Sequence, residues 1–198
     1  MMTTRGAAFT ALTAADALLA GAGRDGERWL TKPLLMPVLM PGRTKAAQRA
    51  LALSWVGDVA LMGSGAAAFQ AGLVSFLASH LAWIGALRKQ PGGGRLRAHP
   101  ALAITPLAAV VAVNVRLWPR TGSDRIPVLL YSVALAAMSL TALDTDSPAA
   151  GAGGLLFLAS DALLALRKFG VLERRSADAV VMMTYAAAQA LLAASTDH

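Results

Sequence analysis

Five ionisable side chains, Asp16, Lys32, Asp58, His80 and Asp161, sit inside stretches otherwise apolar enough to cross a lipid bilayer. A charge at the centre of a membrane helix costs about 3 kcal/mol on insertion scales, so such residues face a protein interior and mark function. Two of them, Asp58 and Asp161, are carboxylates on separate apolar segments. Two buried acids suit acid–base chemistry, because burial or a like-charged neighbour keeps a proton on one while the other stays ionised. Asp58 ends Ser54-Trp55-Val56-Gly57-Asp58. Ser54 lies one helical turn earlier, on the same face, and could hydrogen-bond the acid. Gly57 leaves room for another backbone or a ligand. Asp161 follows Ser160, with Phe157 one turn before it. Structural aspartates satisfied by neighbouring helices are the plainer reading of both.

The supporting residues are weighed the same way. His80 is the one histidine inside an apolar stretch; His99 and His198 fall at or beyond segment ends. It is either a hydrogen-bonded core residue or a proton relay. Lys32 precedes Pro33 and would snorkel to the interface, hold a lipid phosphate or tune a carboxylate. Tyr185 and Gln189 are spaced i, i+4 and share a face, and Tyr131 is a similar polar group on another segment. Such neutral residues bridge helices as often as they bind ligands. Asp16 has no identifiable partner in the sequence.

Several chemistries lose support. The chain has no cysteine, which excludes disulfides, thiol nucleophiles and thiolate metal sites. Paired His-x-x-x-His or Glu-x-x-His ligands are missing, so no metal site is expected. Serine-hydrolase elbows, zinc-protease motifs and phosphate-binding loops are also missing. An intramembrane aspartyl protease stays open on the paired acids. However, Trp-Val-Gly-Asp stands where a Tyr-Asp pair would be expected, and the second acid lacks a Gly-Leu-Gly-Asp pattern.

These side chains need a scaffold, and composition names its class. Of 198 residues, 56% are hydrophobic and 15% charged, against about 25% charged in soluble domains. Successive apolar runs predict an all-α polytopic transmembrane bundle of about eight spans, forming a single domain over 1–198. The predicted helices are about 6–23, 29–41, 46–63, 66–87, 100–117, 125–143, 149–169 and 177–194. The second is short and broken by Pro33, Pro37 and Pro41, which remove backbone donors. Asp16 within the first argues for an uncleaved helix rather than a signal peptide. The net charge of +7 collects in connections such as the loop that holds Arg88, Lys89, Arg95 and Arg97. There it meets lipid headgroups, so nucleic acid is not expected as a partner. That loop favours cytoplasmic termini. If the protein is bacterial, the plasma (inner) membrane is expected. No internal repeat supports an inverted-repeat transporter.

Taken together, the chain resembles the lysoplasmalogenase family of eight-span membrane proteins, the YhhN group. The resemblance rests on Lys32-Pro33-Leu34, Ser54-Trp55-Val56-Gly57-Asp58-Val59-Ala60-Leu61 and Phe69-x-x-Gly72-Leu73-x-Ser75-Phe76-x-x-x-His80. It continues through Pro127-x-x-x-Tyr131, Gly154-Leu155-Leu156-Phe157-x-x-Ser160-Asp161 and Thr184-Tyr185-Ala186-Ala187-Ala188-Gln189. Asp16 and the short, Ala-rich last helix depart from the pattern. The resemblance implies hydrolysis of the vinyl-ether bond of lysoplasmalogens to a fatty aldehyde and a glycerophospho-alcohol. Such an ether opens by protonation at carbon, and water captures the resulting oxocarbenium ion. On this reading one of Asp58 and Asp161 is the general acid and the other the electrostatic stabiliser and water-activating base. His80 relays protons or orients water. Lys32 holds the phosphate or tunes an acid. Tyr131, Tyr185 and Gln189 bind substrate or water. No metal or organic cofactor is needed. The partners are the lysophospholipid substrate and membrane lipids. A hydrolase of another lipid, or a lipid or solute transporter, is the alternative.

Overall fold

The computed structural model describes residues 4–90 and 92–197, so Pro91 and His198 lie outside the described residues. These residues fold as helices: α1 (Thr4–Gly21), α2 (Lys32–Leu39), α3 (Lys45–Leu61), α4 (Ala66–Leu87), the single turn α5 (Arg95–Ala98), α6 (Ile104–Leu117), α7 (Arg125–Asp144), α8 (Pro148–Lys168) and α9 (Ser176–Ser195). The eight expected helices all appear. The fifth differs at its start, where Pro100–Ala103 winds as a tight 3₁₀ turn before α6. A proline just after His99, whose backbone is not helical, explains that start.

Among the described residues, five helical segments are long and apolar enough to cross a membrane: Ala66–Leu87, Pro100–Leu117, Gly122–Asp144, Pro148–Lys168 and Ser176–Ser195. The remaining three fall short for visible reasons. Arg5 and Asp16 dilute the hydropathy of α1. The second helix has only 8 residues, and α3 has 17 and carries Lys45, Arg49 and Asp58.

Helix order around the bundle follows from the contacts. α3 packs along α4, α4 against α7, α7 against α8, α8 along α9, and α9 against α1. From α1 the path returns through α2 to α3, closing a ring of seven helices. The sixth helix stands outside, against α7 and α8. It buries little of its surface and presents Ile104, Leu107, Val111 and Val115 outward, as a lipid-facing helix must.

Small residues set the spacing. A Cβ on Gly153 would stand 2.9 Å from the Leu192 side chain, and one on Gly154 would stand 2.8 Å from Ala142. Backbones of α7, α8 and α9 can therefore approach closely, where packing rather than hydrophobicity drives association. Side-chain caps fix two helix starts: Thr44 accepts from the Ala47 N–H (3.3 Å) and Ser147 from the Ala150 N–H (3.2 Å). Pro148 then occupies the first turn of α8, where its missing N–H costs nothing.

Candidate functional site

Each helix of the ring contributes a polar side chain to the interior: Asp16 from α1, Lys32 from α2, Asp58 from α3, His80 from α4, Tyr131 from α7, Asp161 from α8, and Tyr185 with Gln189 from α9. The sixth helix, outside the ring, contributes none of the predicted residues.

Asp58 is 2% exposed. Its Oδ1 lies 3.2 Å from Lys32 Nζ, and its Oδ2 accepts a hydrogen bond from the Tyr185 hydroxyl at 2.7 Å. Trp55, one turn before Asp58, donates from its indole N–H to the Pro33 carbonyl at 2.8 Å. That bond fastens the start of α2 to α3 and holds Lys32 over the acid. The sequence offered Lys32 three roles; the structure engages it with the carboxylate. Hydrogen bonding between Ser54 and Asp58 does not occur. Instead Ser54 Oγ accepts from Gln189 Nε2 and pairs with Ser79 Oγ, each at 2.7 Å, and Ser79 donates to the Ala50 carbonyl at 2.9 Å. Gln189 therefore pins α9 to α3 and α4 from a fully buried position.

Asp161, 9% exposed, has a different set of neighbours. The Tyr131 hydroxyl donates a hydrogen bond to its Oδ2. His80 Nε2 lies 3.0 Å from the same hydroxyl and 3.6 Å from the carboxylate oxygen. With Tyr131 donating to the acid, its oxygen accepts from an Nε2–H of His80, which assigns the tautomer. His80 Nδ1, fully buried, has no hydrogen-bond partner among the described residues.

The two acids each keep their own partners, and aromatic rings join the groups. Phe157 stands edge-on to His80 (4.8 Å between centroids) and to Tyr185 (5.5 Å). Phe76 stands edge-on to Tyr185 (5.9 Å) and Phe157 (6.5 Å). The space expected at Gly57 is filled by Phe76, whose ring would be 2.6 Å from an added Cβ. Gly57→Val is therefore expected to displace Phe76 and destabilise the protein by about 1–3 kcal/mol, as overpacking does. The check is thermal unfolding of the purified variant.

A cavity of about 180 Å³ opens between the ring and α6. Apolar residues such as Phe76, Val110, Val113, Leu135 and Leu158 form its walls, while Asp161 and Tyr131 reach it. Asp58, Lys32, Tyr185 and Gln189 do not line it. Of the predicted substrate-binding residues, only Tyr131 meets this cavity.

Asp16 does have partners, which the sequence did not reveal. It is fully buried and accepts from Arg28 Nη2 (3.1 Å), Arg28 Nε (3.2 Å) and the Thr31 hydroxyl (2.8 Å). The two-pronged guanidinium of Arg28, four residues before Lys32, and the Thr31 hydroxyl, one residue before it, anchor the α1–α2 connection. Arg28 sits in a charged turn whose composition reads as solvent-facing, so the sequence carries no signal of this pairing. Phe76, part of a predicted motif, and Ser79, between it and His80, take on roles that spacing alone does not disclose.

Comparisons with known proteins place the chain in a family. The family model described as "YhhN family" matches residues 27–196. Two curated relatives called lysoplasmalogenase, from Mycobacterium bovis and Mycobacterium tuberculosis, are each 32% identical over 197 residues, covering 95% of this chain and 67% of the relative. No solved structure matches. With a family match across all but the first helix and relatives aligned over nearly its whole length, the chain belongs to the YhhN family.

Proposed function

We propose that this protein is a lysoplasmalogenase, an eight-span membrane hydrolase that cleaves the vinyl-ether bond of lysoplasmalogens. The observation that carries the reading is an acid, Asp161, at the wall of a mostly apolar cavity, hydrogen-bonded by Tyr131 and backed by His80. A lipid chain suits such a cavity, and a vinyl ether needs a proton donor beside it.

Asp161 is the general acid in this mechanism. Its Oδ2 is occupied by Tyr131, leaving Oδ1 to carry the proton. The alkene π electrons take that proton at the carbon β to the ether oxygen, giving an oxocarbenium ion. Asp161, now a carboxylate, accepts a proton from water as the water oxygen bonds to the cationic carbon. The hemiacetal formed collapses to aldehyde and alcohol as the C–O bond to glycerol breaks, with the proton passing to the departing oxygen. The sum is addition of one water, and the enzyme is unchanged. The His80–Tyr131–Asp161 chain holds the acid in place.

Asp58 serves as a fixed negative charge. Lys32 and Tyr185 keep it oriented, and its charge favours the cationic intermediate across Phe76, whose side chain lines the cavity. Tyr185 and Gln189 position that half of the site and do not touch lipid.

Purified protein in detergent is expected to release fatty aldehyde from an alkenyl lysophospholipid and to leave the saturated alkyl ether intact. Fatty acid released from acyl lysophospholipids, with no aldehyde from the alkenyl lipid, would replace this reading with an esterase. Tyr131→Phe removes the hydrogen bond to the acid and is expected to lower kcat about tenfold. The kcat of that variant, measured beside its unfolding temperature, checks the point.

A further inference from the structure

We propose that Lys168 binds the phosphate of the lysolipid headgroup, a role that rests on the lysolipid reading above. Asp161, Ala165 and Lys168 line the same cavity and, at spacings of four and three residues, share one face of α8. Seven residues of helix separate the acid from the lysine by about 10 Å along the axis. The glycerol backbone between a vinyl ether and a phosphate bridges much of that distance, and the flexible lysine stem covers the rest.

The lysine is held for this purpose. Its Nζ stands 4.8 Å from the centre of the Phe69 ring, and Phe169 braces that ring edge-on at 6.0 Å. Phe69 and Phe169 line the cavity too, so the ammonium sits at its mouth, at the end of a membrane-length helix. Lys168 has no carboxylate partner among the described residues. Its neighbour Arg167 is taken up by Asp178 at 2.6 Å. Lys32, the phosphate candidate suggested by sequence, is committed to Asp58 and lies off the cavity. An ammonium over an aromatic ring keeps its hydrogen-bond donors available to an anion. Lysine is a common point-charge ligand for phosphate.

The test uses the purified full chain in detergent and two ligands that cannot be hydrolysed: a saturated 1-alkyl lysophospholipid and the matching 1-alkylglycerol, which lacks phosphate. Lys168→Ala is expected to raise Kd for the phospholipid about tenfold, the scale of one charge-assisted contact. Kd for the alkylglycerol is expected to stay unchanged, and Lys168→Arg to retain most of the affinity. In turnover, KM rises and kcat holds. An unchanged phospholipid Kd, or equal weakening of both ligands, would overturn the proposal. Inorganic phosphate is expected not to compete with the phospholipid; effective competition would assign Lys168 to a free anion and overturn the headgroup role. The binding comparison needs no turnover. A wild-type protein that releases no aldehyde would sink the hydrolase reading, while the two ligands still decide the role of Lys168.

Discussion

Asp161→Asn is expected to cut aldehyde release by about a thousandfold while leaving a folded protein. General acid–base catalysis by a positioned side chain contributes about a hundred- to ten-thousandfold, and in the proposed mechanism one carboxyl serves in both the protonation and the water-capture steps. Asparagine keeps the shape of the side chain and can still accept from Tyr131 through its carbonyl oxygen, so the packing of α7 against α8 survives. It cannot give up a proton to carbon. The measurement is single-turnover aldehyde release from an alkenyl lysophospholipid, beside gel filtration and thermal unfolding of the same preparation. If Asp161→Asn retains near-normal turnover, Asp161 is not the acid. A loss of activity accompanied by unfolding is separated by Asp161→Glu, which restores a proton donor and is expected to recover part of the rate.

The second large effect falls on stability. Removing Asp58 leaves Lys32 as an unpaired cation in the bundle interior, with 12% of its side chain exposed. Breaking a buried pair in this way costs about 3–5 kcal/mol, because the surviving charge loses its partner but stays desolvated. Asp58→Ala and Lys32→Met are each expected to lower the unfolding temperature. The double variant is expected to recover most of the loss, since no lone charge remains. This non-additivity is what a double-mutant cycle measures. Activity behaves differently: the double variant stays impaired, because the fixed negative charge beside the aromatic cluster is gone. Additive losses of stability in the cycle would show that the two side chains do not depend on each other. Full activity in the stable double variant would remove Asp58 from the mechanism.

The two predictions separate the acids, which the sequence treats as equivalent. Both lie in similar apolar surroundings, and both follow a small or polar residue. The structure distinguishes them through neighbours on other helices. Asp58 meets a cation and a tyrosine away from the cavity, whereas Asp161 meets a tyrosine and a histidine at the cavity wall. Such differences arise from segments as far apart as 127 positions, as with Tyr185 and Asp58. A periodicity read along one helix cannot contain them.

Ser54 and Gln189 illustrate the same limit. Residues one turn apart share a face, so a Ser54–Asp58 bond is a fair local expectation. Rotamer choice is then settled by competition. Ser79 on α4 and Gln189 on α9 arrive at Ser54 at 2.7 Å, while Lys32 and Tyr185 satisfy the acid. Asp16 shows the converse: a buried acid whose partner, Arg28, is only twelve residues away but sits in a turn that composition alone assigns to solvent.

What the amino-acid order determined by itself is the helical class, the segment boundaries to within a few residues, and which polar side chains must point inward. These are local or solvation properties. Apolar run length and capping residues set the helices, and the cost of a charge in lipid selects the interior residues whatever the packing. Only the tertiary structure decided which of those residues meet, which acid borders the cavity, and that Lys168 rather than Lys32 stands at its mouth. Those outcomes depend on how seven helices close into a ring, and small-residue contacts between distant segments govern that closure.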